Sequence, residues 1–262
     1  MELIGFVAAV VIGFTMGLIG GGGSILTVPV MVYFLNIDPV LATAYSLFIV
    51  GLTSLIGSFS YMLKQQLDYK TAVVFAIPSF IAVYSTRKFI VPAIPAEMSI
   101  GGLVLEKGMM LMLFFGVIMF VSAFSMIRSG KRPEVDESEV KFNYPLILIE
   151  GALVGIVTGL VGAGGGFLII PALVLLARLP MKLAVGTSLI IIAVKSLIGF
   201  LGDIGIQTID WSFVLIFSLF AVFGIFGGSF VSKYVQGEKL KRGFGWFVAV
   251  MALFIFYKEL WS

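Results

Sequence analysis

The stretch GLIGGGGSILTVP at residues 17–29 returns as GLVGAGGGFLIIP at 159–171. This doubling constrains the fold more than any other feature of the chain. With one half slid over the other by 142 positions, Gly13, Gly17, Gly20, Gly22, Gly23 and Pro29 fall on Gly155, Gly159, Gly162, Gly164, Gly165 and Pro171. LATAYSLFIVGLTSLIG (41–57) then lies over LAVGTSLIIIAVKSLIG (183–199), and Asp68 lies over Asp210. The correspondence fades after residue 75. A glycine costs a helix interior about 1 kcal/mol relative to alanine. Runs such as Gly20–Gly23 and Gly164–Gly166 inside apolar sequence therefore mark places, one per half, where bare backbone is needed.

The sequence around those runs reads as membrane helix. Only 12% of the residues are charged and 60% are hydrophobic, whereas soluble domains carry about 25% charged residues. Segments 107–127, 183–202 and 211–232 are each apolar and long enough to span a bilayer. The N-terminal MELIGFVAAVVIGF lacks a basic leader and a small-residue cleavage site, so we expect it to belong to the fold. A net charge of +3 then reflects loop bias, and no nucleic-acid partner is expected. The chain has no Cys and no His. That excludes disulfides, thiolate chemistry, histidine metal sites and His-dependent triads. No enzyme activity, cofactor or metal is expected.

Segment 3–35 fixes the topology. As one helix its 33 residues would be about 50 Å long, too long for a hydrocarbon core of about 30 Å without steep tilt. A hairpin with the glycines at its tip fits instead. The distribution of Lys and Arg tests the choice. If both glycine segments are hairpins, 12 basic residues gather on one side, and only Arg87, Lys88, Lys107 and Lys258 on the other. If the segments cross, the split is 7 against 9. The expected fold is thus an all-α polytopic membrane protein of two inverted-topology repeats, each a glycine-tipped re-entrant helical hairpin plus three transmembrane helices. The first repeat, 1–127, has a hairpin at 3–35 and helices at about 40–62, 70–91 and 107–127. The second, 145–262, has a hairpin at 145–176 and helices at about 183–202, 211–232 and 243–260. Residues 128–144 form a cytoplasmic linker, 92–106 an external loop, and both termini lie outside.

Irregular backbone survives in a bilayer only where protein buries it or a cavity meets it. Inverted repeats with broken helices are the architecture of secondary transporters, with a site near the midplane. Each return arm begins at its tip, at Ser24 and Gly166, and its first amides point at the tip. A helix N-terminus with free donors attracts anions, and glycine lets a ligand approach the backbone closely. Gly20, Gly21, Gly22, Gly23, Ser24, Gly162, Gly164, Gly165 and Gly166 are therefore the candidate anion-binding backbone. Gly13, Gly17, Gly155 and Gly159, spaced four apart, suit tight helix packing instead.

Lys195 lies well inside a crossing, where an ionisable group usually faces a cavity or a partner. It shares a helical face with Ser188, and the matching face of the first half carries Ser46 and Thr53. These four complete the candidate site; snorkelling of Lys195 toward the outer interface is the competing reading. Arg87 and Lys88 are expected to be interface anchors, with an anion-attracting vestibule as the second reading. Glu150 and Asp203 are expected to be ordinary boundary carboxylates, and Asp68 and Asp210 helix N-caps.

The paired motifs GLIGGGGSILTVP and GLVGAGGGFLIIP, each followed by a polar-dotted helix with SL, resemble the TauE/SafE family of sulfite exporters over nearly the whole chain. Segment 76–97 departs from the resemblance in lacking a glycine-rich pattern. The resemblance implies a multi-pass protein of the bacterial cytoplasmic membrane that exports sulfite or small organosulfonates. The leading expectation is a secondary transporter of such an oxyanion working by alternating access. A short-chain carboxylate carrier and a passive anion channel are the alternatives. The expected partners are the small anion and the lipid bilayer.

Overall fold

The computed structural model describes residues 2–100, 103–128, 144–175, 179–232, 234 and 237–261. The expected linker at 128–144 lies almost wholly outside them. Among the described residues six helices are long and apolar enough to cross a membrane. They are α2 (Pro39–Leu63), α3 (Tyr69–Ala93), α4 (Lys107–Arg128), α6 (Met181–Leu201), α7 (Trp211–Val231) and α8 (Gly237–Trp261). Two shorter arms, α1 (Glu2–Ile19) and α5 (Tyr144–Val161), lead into the glycine tips. The chain is a multi-pass membrane protein.

Each half opens with a chain reversal. At Gly20 the backbone takes φ of 77°, and at Gly162 of 73°, a left-handed conformation that favours glycine. The first return arm is a 3-10 helix at Gly21–Leu26, a short α turn at Thr27–Pro29 and a π turn at Val30–Phe34. The second is a helix at Gly166–Leu175 with Pro171 inside it. The first arm comes back alongside α1, since Leu35 packs against Gly5 and a Cβ on Gly23 would strike the backbone of Met16. Residues 3–35 therefore do not run straight through.

Asp38, with Pro39 in the first turn, caps α2 by accepting from the amides of Val40 and Leu41. Asp68 caps α3 through Lys70 and Thr71, and Asp210 caps α7 through Phe213. Both were expected N-caps. Short polar breaks bounded by caps explain why these crossings end where the sequence suggests. The segment expected as loop, 92–106, is different. Residues 92–93 finish α3, and β1 (Glu97–Ile100) pairs antiparallel with β2 (Leu103–Glu106). Two short runs rich in apolar residues flank the Gly101-Gly102 pair in the sequence, a hairpin signal that the nearby prolines obscured.

The halves interlock instead of standing side by side. α1 packs on α7, α5 on α3, α2 on α6, and α4 on α8. Equivalent residues make equivalent contacts. Gly13 meets the backbone of Ala221, and Gly155 that of Ser79, its match at the same offset. Gly17 meets Ile225 and Gly228, and Gly159 meets Val83 and Thr86. Such close crossings tolerate no side chain, so the packing reading of these four glycines holds. The Asp68 amide donates to Thr187 Oγ1 and the Asp210 amide to Tyr45 Oη, each at 2.9 Å. α2 and α6 run antiparallel, because Gly51 meets Leu197 while Gly186 meets Tyr61 and Gln66. One end of the bundle thus carries Asp38, Asp203 and Asp210, and the other Asp68 and Gly186. At the Asp38 end a cavity of about 670 Å³ opens among Gly5, Leu35, Asp38, Tyr45, Asp210 and Phe217.

Candidate functional site

The two glycine tips touch. A Cβ on Gly166 would fall on the backbone of Gly21, so only glycine at both positions lets the arms pass. Ser24 pins them together: its hydroxyl lies 2.7 Å from its own Gly21 carbonyl and 2.7 Å from the Ala163 carbonyl of the other tip. All of Gly20–Leu26 and Val161–Phe167 are buried. The contact lies at mid-helix depth, since Gly164 packs against Val50 near the centre of α2 and Gly21 against Ile192 of α6.

The glycines play several parts. Gly20, Gly162, Gly164 and Gly165 all have positive φ. Gly23 makes room for its own arm at Thr15 and Met16, and Gly22 faces Ile19 and Phe244. Gly22 and Gly23 therefore turn back onto the first half's own helix and α8. Gly21, Ser24, Gly164 and Gly166 meet across the junction, Gly20 packs on Ile170 and Val185 of the other half, and Gly165 faces Thr158 and Lys195 of its own half.

Lys195 reaches this junction. It is 0% exposed, and its Nζ donates to Thr158 Oγ1 at 2.8 Å. A Cβ on Gly165 would stand only 2.7 Å from that ammonium. The snorkelling reading is thereby excluded, because the side chain runs inward to the second tip. Thr158 in turn donates to the Val154 carbonyl at 2.7 Å, which leaves its lone pair for the lysine. Among the described residues Lys195 makes no ion pair. An ammonium removed from water without a counter-charge is costly.

The hydroxyls divide. Ser46 and Thr53 are fully buried and their oxygens have no hydrogen-bond partner among the described residues. Ser46 lies between Thr43, which meets Gly162, and Val50, which meets Gly164, on the α2 face that lines the second tip. Ser188 is also buried, but its hydroxyl is spent on the Val185 carbonyl at 2.8 Å.

Two expectations about charge need correction. Arg87 is not an interface anchor. It is 0% exposed, with Nε donating to Asp203 Oδ2 at 2.7 Å and Nη2 lying 2.7 Å from Oδ1. Nη1 donates to Thr43 Oγ1 at 2.9 Å and to the Gly159 carbonyl at 3.2 Å. Asp203 is accordingly not an ordinary boundary carboxylate, being buried and committed to Arg87. A π turn at Thr86–Ile90 sets the arginine at this depth, whereas its neighbour Lys88 stays exposed, donating to Tyr84 Oη and lying over the Tyr84 and Phe89 rings. Arginine and aspartate are 116 residues apart in sequence, so no local motif announces the pair.

A family model described as sulfite exporter TauE/SafE matches residues 5–255. A probable membrane transporter protein of Xylella fastidiosa (strain 9a5c) is 28% identical over 253 residues, covering 95% of this chain and 92% of its own. The probable membrane transporter protein YunE of Bacillus subtilis (strain 168) is 26% identical over 266 residues, covering 90% and 91%. No solved structure matches.

Proposed function

The chain belongs to the sulfite exporter TauE/SafE family of membrane transporters, and from that premise we propose that it carries a small oxyanion, sulfite or an organosulfonate, bound at the junction of the glycine tips. One observation supports this above the others: Lys195 is fully buried with its amino nitrogen against Gly165 and a single hydroxyl partner among the described residues. A small anion there would neutralise the lysine, accept from the first amides of the return arms, and engage the spare hydroxyls of Ser46 and Thr53. The favoured guest is compact and carries several oxygens, which suits amides arriving from two directions.

The matched contacts of the halves and the antiparallel course of α2 and α6 support reading them as inverted repeats. In that arrangement the same packing surfaces can serve both ends of the bundle, so exposure of the site alternates as the hairpins rock against the paired helices. The membrane is the bacterial cytoplasmic one, with both termini outside. The test is flux in reconstituted vesicles. Saturable sulfite counterflow that Lys195→Ala abolishes supports the site, and competition between sulfite and lactate separates an oxyanion carrier from a short-chain carboxylate carrier. Unsaturable conductance under voltage clamp, insensitive to Lys195→Ala, would point to a passive channel and overturn the reading.

A further inference from the structure

The helix crossings of the two halves match residue for residue at Gly13/Gly155 and Gly17/Gly159, but the buried polar groups do not, and Arg87–Asp203 is one of the differences. At the 142-residue offset, Arg87 corresponds to Ser229, Asp203 to Tyr61 and Thr43 to Val185. The positions matching this pair at the other end of the bundle carry no charge. The π turn that seats Arg87 likewise has no partner in α7, which is regular α-helix over Trp211–Val231. Packing alone does not call for a buried guanidinium at the Asp38 end, so its presence asks for another reason.

The details of the pair supply one. Arginine presents a planar fork suited to oxyanions, and here the oxyanion is a side chain of the protein itself. Asp203 stands beyond the end of α6, in the turn after Gly202, and Gly205 two residues on has φ of 85° and nothing around it. It can swing away without breaking a helix. Nε and Nη2 each stand 2.7 Å from one carboxylate oxygen, a two-point fork; the second N–H of Nη2 has no acceptor among the described residues, so the guanidinium keeps donor capacity for another oxygen. Arg87 is also continuous with the tip junction. Its partner Thr43 packs on Gly162, and its other acceptor, the Gly159 carbonyl, lies one turn before the second tip.

We propose that Arg87 is a second anion-binding residue, held in this conformation by the Asp203 carboxylate as an internal stand-in, and that a small oxyanion arriving at the Asp38 end exchanges with Asp203. The exchange releases the end of α6 from α3 and opens this end of the bundle. The ligand class is a sulfite, sulfonate or carboxylate group, the same kind of guest as the reading above, but the site is separate from Lys195.

Chemical rescue tests it. Asp203→Ala removes the stand-in and leaves room for a small anion; its Tm, followed by tryptophan fluorescence in detergent, falls by roughly 5–10 °C. Millimolar sodium formate or sulfite, against sodium chloride at equal ionic strength, then restores at least half of the loss. The Arg87→Met/Asp203→Ala double variant does not respond. Repeating the titration with Lys195→Met added silences the tip junction: rescue persists if Arg87 is the site, whether or not the tip reading stands. No rescue, or equal rescue of the double variant, overturns the proposal. Should Asp203→Ala fail to accumulate, Trp211 provides a second readout, since its ring lies edge-on to Phe200 of α6 and Phe48 of α2. With Trp246 and Trp261 replaced by Phe, sulfite shifts Trp211 emission in the otherwise native chain but not in Arg87→Met; an unchanged emission counts against exchange.

Discussion

Replacing Lys195 by methionine is expected to make the ligand-free protein more stable and at the same time unable to bind its anion at the tip junction. Both signs follow from the geometry. The Lys195 amino group is fully buried with one hydroxyl partner among the described residues. Methionine has nearly the length of the lysine stem and fills the same channel without a charge. Thr158 is not orphaned by the change, because its hydroxyl keeps the 2.7 Å bond to the Val154 carbonyl. Exchanging a buried polar nitrogen with one partner for apolar volume gains about 1–3 kcal/mol, a rise of several degrees in Tm. An anion about 4 Å from the ammonium at an effective dielectric near 20 gains about 4 kcal/mol, so the variant loses roughly a thousandfold in affinity. Thermal unfolding with and without sulfite reads both quantities. The native chain starts lower and climbs steeply with sulfite, whereas the variant starts higher and climbs much less, any remaining response being that of Arg87. A variant that is less stable than the native chain, or that sulfite stabilises equally, would refute the reasoning, because Lys195 would then be a structural hydrogen-bond donor.

The glycines give a contrast within one residue type. Gly166→Ala drives a Cβ into the backbone of Gly21 and should cost about 1–3 kcal/mol or more, whereas Gly243→Ala in α8, with nothing within 4 Å, should gain about 1 kcal/mol; paired melting curves check both. Asp68→Ala and Asp210→Ala each remove a cap at equivalent places and should each cost about 1 kcal/mol, with unequal losses arguing against equivalent roles.

The crossings were legible because they are local: a long apolar run, a short polar break and an aspartate before the next run. The chain reversals were legible because no side-chain-bearing residue tolerates Gly20 and Gly162 as they stand. The tip junction could be anticipated only as a convergence; that Gly22 and Gly23 turn back onto Ile19, Met16 and Phe244 depends on how the arms cross. The Arg87–Asp203 pair and the Lys195–Thr158 bond join distant segments, and nothing in the local pattern at either end encodes them. Arg87 looked peripheral because a π turn was not expected where α3 ends. At 92–106 the two prolines and the glycine pair both pointed to a loop, whereas the short runs on either side of that pair form strands.

The crossed pairing of α1 with α7 and of α5 with α3 bears on how the chain is made. When α1 leaves the ribosome, the partner for its glycine-lined face is still some two hundred residues from synthesis. Until α7 is made, that notched face has no helix of this chain to pack against. The N-terminal half is therefore not a finished unit waiting for a neighbour. The glycine-lined crossings form only once both halves are present.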